Sequence, residues 1–75
     1  MESKKVLEKF INDNFDLTKF YIKWESDFLL ELTDLKCDKI ALCCVKPYCV
    51  WTSINGEKYL NYRLGKYGEW VIDHE

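Results

Sequence analysis

The chain has 75 residues, 48% of them hydrophobic and 16% aromatic, with a net charge of −2. That is one domain, residues 1–75, near the lower size limit for a self-sufficient core. A near-neutral charge selects neither nucleic acid nor membrane, and no stretch approaches the roughly 18 apolar residues of a membrane span.

Charge is unevenly spread. Residues 1–35 carry five Lys against eight Asp and Glu, 36–67 carry five Lys and one Arg against Asp38 and Glu57, and 68–75 carry Glu69, Asp73 and Glu75. Ordinary solvated faces account for this, and a basic patch on the middle segment is the sharper reading. The start, MESKKVLEKF, is acidic and lacks a long apolar core, so neither a signal peptide nor a lipid anchor is expected. The chain reads as cytoplasmic, with no membrane contact.

The first element is a helix. Val6, Leu7, Phe10 and Ile11 follow helical spacing, with Ser3 as a cap and 12–14 as the stop. Lys4 and Lys5 in the first turn and Asp13 in the last oppose the helix dipole, so packing must hold this helix.

After Asp16 the period changes to two. Phe20, Ile22 and Trp24 alternate with Tyr21 and Lys23, residues 25–27 form a turn, and Phe28, Leu30 and Leu32 alternate with Leu29, Glu31 and Thr33, which predicts a hairpin. Residues 40–45 (IALCCV) suit a buried strand. A helix from Asp34 to Cys44 is the alternative, which leaves Leu35–Tyr48 open between strand and helix. Pro47 cannot donate to a ladder, so a bend is expected between Val45 and Tyr48.

Asn55-Gly56 lies between two strand-forming runs and predicts a hairpin with a type I′ turn. A two-residue loop sets Thr52 opposite Tyr59 and Trp51 opposite Leu60. Cys49, Trp51, Leu60, Tyr62 and Leu64 then share the core face. Val50, Thr52, Ile54, Tyr59, Asn61 and Arg63 share the outer one. Residues 65–68 turn again, and 69–73 close the sheet. The expected class is α+β, one N-terminal helix followed by a curled antiparallel sheet of about five strands.

Four cysteines, Cys37, Cys43, Cys44 and Cys49, lack the knuckle spacing of a zinc site. On a strand Cys43 and Cys44 point to opposite faces, so they read as small buried hydrophobes and no metal is expected. Disulfides are not expected without export. His74 sits in the tail, where no third group orients it as a base. No carboxylate pair or phosphate-cradling glycine run is present. No catalytic residue and no cofactor are therefore expected, and an enzyme is not.

Twelve aromatics exceed what so small a core hides. Trp24 and Trp51 fall on the expected core side. If the sheet buries Val71, Trp70 is displayed, and a displayed Trp anchors a protein partner. The expectation is a protein-binding module of inhibitor, immunity or adaptor type, using Tyr59, Asn61, Arg63, Lys66, Tyr67 and Trp70. The sheet's two edges also allow a homodimer. The alternative is a single-stranded nucleic-acid-binding module, with Tyr59 and Tyr62 stacking bases and Lys58, Arg63 and Lys66 holding phosphates. High Lys, Asn, Ile and Tyr content points to an AT-rich genome, such as that of a phage or mobile element.

Overall fold

One helix lies across one face of a six-stranded antiparallel sheet whose strands follow chain order, β1-β2-β3-β4-β5-β6. The computed structural model describes residues 2–73 except Lys58, and Tyr59 through its backbone alone. The strands are β1 (Phe20–Ser26), β2 (Leu29–Asp34), β3 (Lys39–Cys43), β4 (Cys49–Ile54), β5 (Tyr59–Leu64) and β6 (Trp70–Ile72). The α+β class and the N-terminal helix are as expected, with six strands rather than about five. Residues 40–43 of the apolar run lie in β3, with Cys44 and Val45 just beyond its end, and no helix forms within 34–48.

Helix α1 spans Ser3–Asn14, and Glu2, not Ser3, occupies the cap position, with no side-chain cap bond. Its first turn holds no acid and its last no base, so burial of its apolar stripe supplies the support that the dipole does not. Val6, Leu7, Phe10 and Ile11 are buried against Leu30, Leu32, Leu42, Cys44 and Val50. The Phe10 ring meets Trp70 edge-on, with centroids 4.9 Å apart, and Tyr62 at 5.1 Å. Such tilted pairs add to area burial because ring edges and faces carry opposite partial charge.

The register extends this apolar layer from strand to strand. Leu30 pairs with Leu42 and Leu32 with Ile40. Leu42 pairs in turn with Thr52, and Val50 with Tyr62. Side chains alternate along a strand, so the helix-facing set includes Trp24, Leu30, Leu32, Ile40, Leu42, Val50, Thr52, Leu60, Tyr62, Leu64 and Trp70.

This corrects the expected faces of β4. Asn55 and Gly56 both take positive φ, 52° and 75°, and the Glu57 N–H donates to the Ile54 carbonyl at 3.0 Å. The turn is as its sequence demands. The ladder, however, begins at Ser53 opposite Tyr59, one residue farther along β5 than a two-residue loop gives. Trp51 therefore pairs with Asn61, and Thr52 with Leu60. Val50 and Thr52 are buried under the helix side, while Cys49 and Trp51 lie on the opposite face. Leu60, Tyr62 and Leu64 face inward and Asn61 and Arg63 outward, as the alternation of β5 implied.

Local bonds fix the end of the sheet that holds the β2–β3 and β4–β5 turns. Asp34 Oδ1 accepts from the Lys36 and Asp38 backbone at 2.8 and 2.9 Å, folding the β2–β3 turn. Asn55 Oδ1 accepts from the Lys39 N–H at 2.9 Å, and its Nδ2 donates to Asp38 at 3.2 Å. One side chain thus joins the Asn-Gly turn to the start of β3, a use of Asn beyond its tolerance of positive φ.

Candidate protein-docking face

The helix covers one side of the sheet, and no described element covers the other. On that open side the register aligns Leu29 with Cys43, Glu31 with Ala41, Cys43 with Trp51, Trp51 with Asn61, and Cys49 with Arg63. Leu29, Ala41, Cys43, Cys49, Trp51 and Asn61 are half-buried by their neighbours, Arg63 is exposed, and Tyr21 is 70% exposed. Trp51 is the largest ring in this patch. Its position is a consequence of the one-residue ladder offset. No rule based on the Asn-Gly turn alone supplies that offset.

Charges around this side are partly paired. Lys23 Nζ lies 3.3 Å from Glu25, and Lys39 Nζ lies 4.0 Å from Glu31. Arg63 has no acidic partner among the described residues. The basic segment 36–67 does not make one patch. Lys36 and Lys39 lie at the end of the sheet that holds the β2–β3 turn, and Lys46, Arg63 and Lys66 lie at the other end.

The sequence-derived residues separate into groups. Asn61 and Arg63 stand together on the open face. Lys66 and Tyr67 follow in the β5–β6 turn, with Lys66 Nζ 5.4 Å from the Tyr67 ring centre and Tyr67 84% exposed. The side chain of Tyr59, the whole of Lys58 and the tail residue His74 lie outside the described residues.

Trp70 belongs to neither group. Val71 is exposed, and the Trp70 indole packs on Phe10 while its Nε1 donates to Asp13 Oδ2 at 2.8 Å. Its ring ties the closing strand to the helix. The Lys9 ammonium donates to the same carboxylate oxygen at 2.7 Å. These two bonds, that from Lys9 foremost, hold the Asp13 carboxyl below its ordinary value.

A cleft of about 620 Å³ opens beside the β5–β6 turn, lined by Lys9, Tyr48, Arg63, Leu64, Gly65, Lys66 and Gly68. Tyr48 enters it from the β3–β4 loop, which bends between Val45 and Tyr48 as expected and in which Tyr48 takes a positive φ of 62°. Sequence reasoning missed Tyr48 and Lys9. Only the neighbouring Pro47 hinted that Tyr48 is displayed, and nothing in the chain placed Lys9 beside β5.

The cysteines divide as the strand period requires. Cys44 is buried under the helix, Cys43 and Cys49 are half-buried on the open face, and Cys37 is exposed. Burial pushes the Cys43 and Cys44 thiols up, away from the reactive thiolate. Among the described residues, no group of three or more His, Cys, Asp or Glu is placed to hold a metal ion. Among the described residues, no helix is long and apolar enough to cross a membrane.

No family model matches the chain, and no curated protein or solved structure matches it either.

Proposed function

We propose that this chain is a non-enzymatic protein-binding module that acts by covering a surface of one partner protein, as inhibitor, immunity and adaptor domains do. One observation carries the reading. The sheet has a second face with an apolar centre at Trp51, bordered by Arg63, and no layer of the described residues packs on it. Trp, Tyr and Arg in such a setting supply most of the energy of protein interfaces. An antiparallel sheet tolerates one watered face when that face is polar; Leu29, Ala41, Cys43 and Trp51 make this one less so.

The test is capture by the tagged chain from its native host. One protein is expected at equal stoichiometry, lost when Trp51→Ala and Arg63→Ala are combined in a chain whose circular dichroism is unchanged. Undiminished capture by that variant moves the contact elsewhere. Sedimentation of the free chain measures whether the same face, or the β1 edge, instead pairs two copies.

The single-stranded nucleic-acid reading rests on the strip Arg63, Lys66 and Tyr67. Lys46 adds one further cation at that end, while Lys36 and Lys39 lie at the opposite one. Phosphate binding weakens steeply with salt, so absence of affinity for single-stranded DNA and RNA at low salt eliminates it.

A further inference from the structure

Three turns meet at one end of the sheet, and each displays a large apolar side chain. Phe28 comes from β1–β2, Val45 and Tyr48 from β3–β4, and Tyr67 from β5–β6, all exposed. Backbone bonds fix their spacing. The Cys44 N–H donates to the Phe28 carbonyl and the Leu64 N–H to the Tyr48 carbonyl, both at 2.8 Å. The 620 Å³ cleft lies within this end, between Tyr48 and the β5–β6 turn.

The cations around the cleft come from three elements. Lys9 is on the helix, Arg63 on β5 and Lys66 in the turn. Lys9 is occupied by Asp13 at 2.7 Å. Arg63 and Lys66 make no ion pair among the described residues. The Glu69 carboxylate packs over Gly65 at the rim. Arginine presents a planar fork that matches a carboxylate, and Tyr offers an apolar ring with a polar tip.

We propose that this cleft receives an acidic segment of a partner protein. A carboxylate lies on Arg63 and Lys66, and an adjacent apolar side chain lies on the Tyr48 ring. The inference rests on the protein-binding reading and names the chemistry of what is bound. The number of cations selects the occupant. Lys46, Arg63 and Lys66 at this end face Asp27 and Glu69. Proteins whose nucleic-acid binding is strongly salt-dependent make on the order of 6–10 phosphate contacts, and juxtamembrane recruitment to anionic lipid uses clusters of about 4–8 Lys and Arg. None of these three cations makes an ion pair among the described residues, and the two that line the cleft, Arg63 and Lys66, suit one or two carboxylates. The cleft volume is within the roughly 300–1,000 Å³ range of binding sites and exceeds what one carboxylate fills.

The experiment is titration of the full ¹⁵N-labelled chain, followed by amide shifts. The probes are a capped peptide alternating Glu with Leu, its Gln counterpart, a single-stranded oligothymidine and phosphatidylserine vesicles. The Glu peptide is expected to shift the Tyr48 and 63–68 amides saturably. The Gln peptide, and the Arg63→Ala/Lys66→Ala variant with the Glu peptide, should bind about tenfold or more weakly, as loss of charge-assisted hydrogen bonds requires. The proposal is overturned by no saturable shift at these amides, by equal affinity for the Gln peptide, or by tighter binding of the oligonucleotide or vesicles at the same amides. If the host partner is still captured by the Arg63→Ala/Lys66→Ala variant, the protein-binding reading stands and this cleft is not its seat.

Discussion

The two faces of the sheet are made from the same six strands, yet they are held by different physics. Beneath the helix, Leu30, Leu32, Leu42, Cys44 and Val50 have no exposed surface, and each is covered by apolar neighbours from another layer. On the other face, Trp51, Ala41 and Cys43 are only half-buried, shielded by their own cross-strand neighbours. The first face stores folding free energy, because removal of its atoms leaves a void. The second keeps apolar area in reserve, because a ring lying on an uncovered sheet gains the rest of its transfer free energy only when something docks.

Leu42→Ala probes the covered face most directly and should produce the largest loss, about 2–5 kcal/mol, since it leaves a cavity between layers. Urea denaturation followed by tryptophan fluorescence measures it. Trp51→Ala removes a larger side chain from the open face and should cost less than Leu42→Ala. Equal or greater loss from Trp51→Ala would show that the open face is part of the folding core, and the distinction between the faces would fail.

The hairpin that sets which side chains go where comes next in size. Gly56 and Gly68 have φ of 75° and 83°, and a Cβ at either would meet nothing within 4 Å. Gly56→Ala should therefore cost about 1–2 kcal/mol through backbone conformation alone. A larger loss, measured by the same denaturation, would mean that the substitution also shifts the β4–β5 ladder and sends Trp51 toward the helix.

That ladder marks the limit of what the sequence displayed. The helix, the succession of strands and the position of the Asn-Gly bend were legible because each depends on local periodicity or on one residue pair. The first turn, however, falls at Asp27 and Phe28 rather than at 25–27. The faces of β5 were legible too, since Leu60, Tyr62 and Leu64 alternate cleanly with Asn61 and Arg63. Those of β4 were not. Cys49, Val50, Trp51 and Thr52 offer two apolar choices, and the decision is made across the sheet. Leu30 aligns Leu42, and Leu42 aligns Thr52, so the β2–β3 pairing fixes the interior of a strand two turns away. The same distance hid the cleft. The β4–β5 ladder sets Tyr48 beside Arg63, but only the crossing of helix and sheet brings Lys9 to them.

The smallest effect expected separates the two faces at their shared edge, where Trp70 closes the sheet. Asp13 accepts from Lys9 and Trp70, and its carboxyl sits below the ordinary value of 3.8. A carboxyl depressed by folding contributes stability that is fully present above the ordinary value and lost as pH falls through the folded one. The Trp70→Phe variant keeps a ring against Phe10 and removes only the indole donor, the second of the two causes. Melting temperature recorded from about pH 6 down to about pH 2 should thus fall less steeply below about pH 4 for Trp70→Phe than for the wild-type chain, because less is left to lose on protonation. Lys9→Met should flatten the profile further, since Lys9 is the larger cause. Asp16, whose carboxyl is also lowered by its bonds from Thr18, contributes alike in all three chains and cancels in the comparison. Superimposable slopes for Trp70→Phe and wild type would mean that the indole–carboxylate bond does not persist in solution. Trp70 would then be held by its ring alone, free to turn its polar edge outward beside the open face.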